Sequence, residues 1–221
     1  MFNTEKSLVD ALLFSLTNNG LSIFNICNFD YFWLDDEVNV GNGIADIVVS
    51  FFNERDGRKN TLELDEISIM YLFNRYKKLS LEDIGTKSGI PSKNIAASIK
   101  KLIEEDYISI NNDEFTLAKE YVLMFEKTIS IEAKLKKWRR ALIQAYRYKS
   151  FSDFSYVCLP EEESRKAIEN IEDFVLRNVG LMTIDDWGTV HVIFGPAEER
   201  PLNPKKNMLL NEKFLTAINS S

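Results

Sequence analysis

The spacing of apolar residues changes twice along this chain, and those two changes limit what it can fold into. Phe29 to Leu34 and Ile44 to Phe52 are runs rich in aromatic and β-branched residues, the composition of paired strands. Asn53 to Asn60 (NERDGRKN) is polar and turn-forming, and beyond it apolar residues recur at steps of three and four for about sixty residues. After Thr128 the strand pattern returns in TISIEAKL, with Ile129, Ile131 and Ala133 facing one way and Ser130, Glu132 and Lys134 the other. A strand-containing domain interrupted by a helical module is therefore expected, with residues 1–60 and 128–221 forming the host and 61–127 the insert.

Within that frame, Thr4 is suited to cap an opening helix whose stripe is Glu5, Leu8, Leu12 and Leu16, ended by Asn18, Asn19 and Gly20. The two strand runs form a hairpin turned through Asp35, Asp36 and the Gly41 to Gly43 stretch. In the insert, a helix is predicted over 64–76. Ser80 caps a second helix to Lys87, Ser88-Gly89-Ile90-Pro91 turns, and Ser92 caps a third to Glu105. With the short hairpin around Asn111-Asn112-Asp113, this is a helix-turn-helix pattern carrying a wing. Downstream, the expected order is a helix over 136–149, a strand over 154–159 and a helix opened by Pro160 that ends before Gly180. A terminal hairpin around Asp185-Asp186-Trp187-Gly188 and a tail with a short helix over 208–218 complete it. The fold class expected is α/β, a mixed sheet flanked by helices.

Composition narrows the chemistry. A hydrophobic share of 45% and a charged share of 28% are ordinary for a globular chain. The opening segment has neither the basic start nor the cleavage site of a signal peptide, and no run reaches the roughly 18 apolar residues that cross a bilayer. A soluble cytoplasmic protein without a membrane partner is the expectation. Cys27 and Cys158 read as isolated buried thiols and not as a zinc site. The net charge of −7 argues against a protein that coats nucleic acid through general basicity, yet seven of the sixteen residues from Lys134 to Lys149 are Lys or Arg. The single histidine, His191, gives no basis for a nucleophile–histidine triad, and no Gly-rich phosphate loop occurs.

Asp46 sits inside the apolar run GIADIVVSFF, where a carboxylate needs a partner or a metal because burying it alone costs several kcal/mol. Glu132 and Lys134, two apart on a strand, present a carboxylate and an ammonium from one face. Two carboxylates suit a hard cation such as Mg²⁺ or Mn²⁺ that activates water. In the insert, Lys93, Asn94, Ser98 and Lys101 lie on the third helix and are of types that contact phosphates or base edges, although residues 62–128 carry twelve acidic and nine basic side chains.

An Asp in one strand, Glu-x-Lys in the next and a basic helix after it resemble the PD-(D/E)XK, or restriction-endonuclease-like, nuclease superfamily; the matching residues are Asp46, Glu132, Ala133 and Lys134. The resemblance covers about residues 1–55 and 128–194 and extends to Glu5 in the opening helix and to the pair Gln144 and Tyr148, spaced as in the recombination-type branch. Ala45 stands where the family has Pro. The resemblance implies a metal-dependent DNA nuclease of restriction, repair or defence. Asp46, Glu132, Lys134, Gln144 and Tyr148 would act in catalysis, while Glu5, Asp46 and Glu132 would hold the metal. Lys93, Asn94 and Lys101 are the candidate DNA contacts, and the inserted module is a candidate surface for a homodimer or protein partner. The alternative is a regulator without catalysis, in which the helix-turn-helix binds nucleic acid and the nuclease-like core is a scaffold.

Overall fold

A computed structural model describes residues 2–18, 21–41, 43–53 and 60–220. Along the chain the elements are α1 (Glu5–Asn18), β1 (Tyr31–Asn39), β2 (Ile44–Phe52), α2 (Leu64–Tyr76), β3 (Lys78–Ser80), α3 (Leu81–Lys87) and α4 (Ser92–Glu104). They continue with β4 (Ile108–Asn111), β5 (Glu114–Leu117), β6 (Lys127–Ala133), α5 (Trp138–Tyr148), β7 (Phe154–Pro160), α6 (Arg165–Ile168), α7 (Ile171–Arg177), β8 (Gly180–Ile184), β9 (Val190–Phe194) and α8 (Pro204–Asn219). The chain forms two units, one from residues 1–54 and 125–203, the other from 55–124 and 204–221.

The first unit is α/β. Its six-stranded sheet has the order β1-β2-β6-β7-β8-β9, with β6, β7 and β8 parallel and the outer pairings antiparallel. The parallel pairs require crossovers, which α5 supplies between β6 and β7, and α6 and α7 between β7 and β8. Alternation assigns the faces. Ile47, Val49, Ile129, Ile131, Tyr156 and Met182 pack with Leu8, Leu12 and Leu16 of α1, whereas Val157, Leu159 and Leu181 pack with Trp138, Ala141, Leu142 and Ala145 of α5. With helices on both faces, β6 is buried even on its polar side. Ser130 there shares hydrogen bonds with the hydroxyls of Ser152, at 2.7 Å, and Ser155, at 2.9 Å.

Gly180 of β8 faces Tyr156 of β7 so closely that a Cβ would come within 2.2 Å of the ring and 2.8 Å of Pro196 Cδ. Gly180→Ala is expected to destabilise the protein by about 1–3 kcal/mol through overpacking. A urea unfolding midpoint equal to that of the wild type would refute this.

The second unit packs α2, α3 and α4 with a three-stranded antiparallel sheet of order β3-β5-β4 around Phe73, Ile84, Ile99, Leu102 and Phe115. Ser80 caps α3 as expected, exchanging hydrogen bonds with Asp83. The β4–β5 turn uses left-handed Asn112 and Asp113, with φ of 50° and 62°.

Several boundaries differ from the sequence expectation. Asp35 and Asp36 continue β1 instead of turning, because their partners Val48 and Ile47 hold this edge strand while its exposed rim accepts charge. The helix expected from Pro160 is instead a short 3-10 turn followed by α6 and α7, since Asn170 at ψ 34° leaves the helical region. Ser92 is the first residue of α4 and Pro91 takes the cap position. Cys158 is buried but Cys27 is exposed. The tail beyond Asn203 is a longer helix than predicted. Its α8 joins the second unit, where the Glu212 carboxylate accepts from the Leu62 N–H at 2.7 Å and Met208 enters the core. Asn19, Gly20, Asn42 and residues 54–59, read from sequence as turn-forming, lie outside the described residues. Among the described residues no helix is long and apolar enough to cross a membrane.

Candidate active site

The β2–β6 ladder ends with Ile47 opposite Ile131, and Asp46 and Glu132 are the next residues along each strand. Both point to the α5 side of the sheet. The Asp46 carboxylate accepts the N–H of Ala133 at 2.8 Å, replacing a ladder bond with a side-chain bond. On the other side of β2 the β1 register has no pair at Glu37, which takes a left-handed φ of 51° within the strand.

Lys134, one residue beyond β6, turns its ammonium back over this gap. Its Nζ lies 2.9 Å from Glu132 Oε1, 3.1 Å from Glu5 Oε2 and 3.6 Å from Asp46 Oδ2, and it donates to the Ala133 carbonyl at 3.2 Å. Four oxygens therefore surround one positive charge. Glu132 is fully buried. Its Oε2 accepts from the Tyr148 hydroxyl, which also lies 2.6 Å from the Ile44 carbonyl, while Oε1 is ion-paired with the Lys134 ammonium at 2.9 Å.

The electrostatics follow from this geometry. Burial, then the neighbouring Asp46, raises the carboxyl pKa of Glu132 above the ordinary range. Burial also raises that of Asp46, partly opposed by the Ala133 N–H and Lys134. For Lys134, burial favours the neutral amine, but the Glu132, Asp46 and Glu5 carboxylates outweigh it and hold the ammonium above its usual pKa. Burial and the Glu132 carboxylate push the Tyr148 hydroxyl far up, so it remains protonated.

Beside the centre, Glu5, Lys134, Lys136, Lys137, Arg140 and Gln144 line an open cleft of about 360 Å³. The Gln144 Oε1 atom is buried and has no hydrogen-bond partner among the described residues. Lys137, Arg140, Gln144 and Tyr148 follow at steps of three and four on α5 and share one side of it.

The structure thus brings together Glu5, Asp46, Glu132, Lys134 and Tyr148, with Gln144 at the rim. Glu5 meets the ammonium of Lys134, and among the described residues no three acidic, histidine or cysteine side chains form a group able to enclose an ion. Lys137 and Arg140 belong to the basic run Lys134 to Lys149 but are not singled out by the sequence as site residues, and the Ala133 carbonyl escapes it altogether. The i, i+4 step from Arg140 to Gln144 was the available signal for one of them, while a backbone oxygen leaves none.

The expected nucleic-acid residues of the second unit are differently placed. Asn94 donates to Asp65 at 2.8 Å, and Lys101 lies 3.5 Å from Glu66, a buried carboxylate that also accepts from Ser98 at 2.7 Å. Lys93 is exposed and lines a shallow cleft with Glu63, Asp65 and Glu66. Asn94 and Lys101 thus hold α4 to the acidic start of α2, because an isolated buried Glu66 would need such partners. His191 is exposed on β9.

Comparison with known protein families, curated proteins and solved structures returns no match to this chain.

Proposed function

We propose that the first unit is a divalent-metal-dependent deoxyribonuclease of the PD-(D/E)XK type, hydrolysing phosphodiester bonds at Asp46, Glu132 and Lys134. The observation that carries this reading is the convergence of carboxylate and carbonyl oxygens on a single cation position between β2 and β6, one of them the buried Glu132 Oε1. All are hard donors, which fits Mg²⁺ or Mn²⁺, and Asp46, Glu132 and the Ala133 carbonyl would hold it. When bound, such an ion supplies a water acidified toward neutral pH and a charge facing the scissile phosphate.

The chain's own groups do the rest. The Ala133 N–H fixes the Asp46 carboxylate, and the Tyr148 hydroxyl fixes Glu132 Oε2. Lys134 yields its place among the oxygens and turns its ammonium to the attacking water or to a phosphate oxygen, where negative charge grows as phosphorus is attacked. Glu5 becomes the counter-ion that keeps Lys134 over the site, a different role from the metal ligand suggested by sequence. In this proposal the second unit is an inserted winged helix, with α2, α3 and α4 followed by the β4–β5 hairpin. Since Asn94 and Lys101 are engaged within it, catalysis in the first unit is favoured over the regulator reading.

The test is incubation of the purified full chain with linear, circular and single-stranded DNA in Mg²⁺ or Mn²⁺. Cleavage is expected to stop in EDTA and to fall at least about a hundredfold in Asp46→Asn, which keeps the shape but weakens the oxygen set. Cleavage that survives both treatments would refute the assignment.

A further inference from the structure

Positive charge is missing from one long stretch of the chain. Between Lys6 and Arg55 there is no Lys, Arg or His, while seven residues are Asp or Glu. That stretch contains β1, the strand that ends the six-stranded sheet. Among the described residues no strand pairs with its outer side, and a row of backbone donors and acceptors along such a side is a template for another chain. The opposite end of the sheet, β9, has five residues against nine for β1.

Proteins protect an open edge with charge, bulges or proline, and β1 has that protection over only part of its length. The Asp36 N–H donates to the Asp35 carboxylate at 3.0 Å, and Glu37 takes its left-handed φ without a partner in β2. Because the Asp36 N–H turns to a side chain and not to β2, alternation puts the main-chain N–H and C=O of Phe32 and Leu34 on the outer side too. From Tyr31 to Leu34 there is no charge, no proline and no break in register. Tyr31 is 50% exposed and Phe32 44%, so apolar surface accompanies the open main chain. Acids bracket this stretch, with Asp30 before it and the exposed Asp36 and Glu37 after it.

Charge selects the occupant. A second copy paired antiparallel over Tyr31–Leu34 would set Asp30 of each directly opposite Asp35 of the other, and like charges so placed destabilise a strand pair. A nucleic acid would bring phosphates to the same carboxylates. We propose that Tyr31–Leu34 takes an extended basic segment of a protein partner as a seventh strand of the sheet. Main-chain bonds from Phe32 and Leu34 hold it, and its Lys or Arg side chains meet Asp30, Asp36 and Glu37. The added strand lies two strand spacings, about 10 Å, from β2, which carries Asp46. The surface is independent of the chemistry at that residue.

The test titrates the full chain in EDTA with short labelled peptides followed by fluorescence anisotropy. One alternates Lys with Val, one alternates Glu with Val, and the third is the Lys–Val peptide with its central amides N-methylated, which keeps the charge but cannot donate to a strand. The Lys–Val peptide is expected to bind at least about tenfold more tightly than either of the others. Phe32→Pro, which removes an outer N–H from an edge strand, and Asp36→Lys, which leaves the main chain intact, should each weaken it at least about fivefold. Asp36→Lys decides alone where Phe32→Pro lowers the urea unfolding midpoint.

Equal binding of the N-methylated or the Glu–Val peptide overturns the added strand, and so does unchanged affinity in Asp36→Lys. Two further results would assign the edge to another occupant and overturn the protein partner. One is a sedimenting dimer that Phe32→Pro dissolves, which identifies a second copy. The other is single-stranded DNA whose binding Phe32→Pro weakens, which identifies a nucleic acid.

Discussion

Glu132→Gln is expected to abolish DNA cleavage, by about a thousandfold or more, and at the same time to stabilise the fold in metal-free buffer near neutral pH. The first effect follows from replacing a buried anionic donor with a neutral amide. An ion's Lewis-acid contribution is worth several kcal/mol, and each 1.4 kcal/mol is roughly tenfold in rate. The second effect follows from the cost of holding that anion. Glu132 is fully buried, and burial and Asp46 raise its carboxyl pKa despite the Tyr148 hydroxyl and the Lys134 ammonium that favour the anion. Because the folded state keeps this proton more tightly than the unfolded state does, the ionised carboxylate loses stability for the fold as pH rises above the ordinary carboxylate range. The gain of the Gln variant is therefore present at neutral pH and shrinks as the pH is lowered into that range. Urea denaturation of both proteins across pH checks it. A variant that unfolds more easily than the wild type at neutral pH would show that Glu132 is a structural anion and not one held against its preference.

Lys134→Met should separate two functions that share one position. Cleavage is expected to drop by about 10²–10³-fold, the scale of losing one charge-stabilising group in a transition state. Divalent-ion affinity should hold or improve, since the ammonium that now lies within 3.6 Å of Asp46, Glu132 and Glu5 is removed. Calorimetric titration with Mn²⁺ distinguishes the outcomes. Loss of ion binding together with activity would mean that Lys134 organises the carboxylates and that its chemical role is secondary.

The sequence was most readable where periodicity is strict. The stripe Leu8, Leu12 and Leu16, the capped α3 and the alternation through β6 each follow from local spacing, and the α/β class follows from their order. It was least readable where a contact made far along the chain decides. Asp35 and Asp36 look like turn residues until Val48 and Ile47 are known to pair with them, and α8 looks like a tail until Met208 is seen in the core of the second unit. The same division holds at the site. The Glu132–Lys134 spacing already places both side chains on one face. That Glu132 is buried while Glu5 is drawn to Lys134 depends on α5 and α1 covering opposite faces of the sheet. Asn94 and Lys101 have the chemistry of DNA contacts, and only the buried position of Glu66 explains why they are engaged elsewhere.

The interleaving of the two units has a consequence for how the chain is made and dissected. Each unit is closed by residues that come from both sides of the other in sequence, 1–54 with 125–203 and 55–124 with 204–221. As the polypeptide leaves the ribosome, the segment 55–124 emerges early but lacks α8. Its Leu62 N–H has no Glu212 carboxylate, and Tyr121 has neither the Met208 carbonyl nor the Asn211 amide until residues 204–219 have emerged. The insert is therefore not a cassette. Excising 61–127 would strand α8 with its apolar side exposed, and trimming the chain after Asn203 would open the core of a unit whose other elements lie some eighty residues upstream.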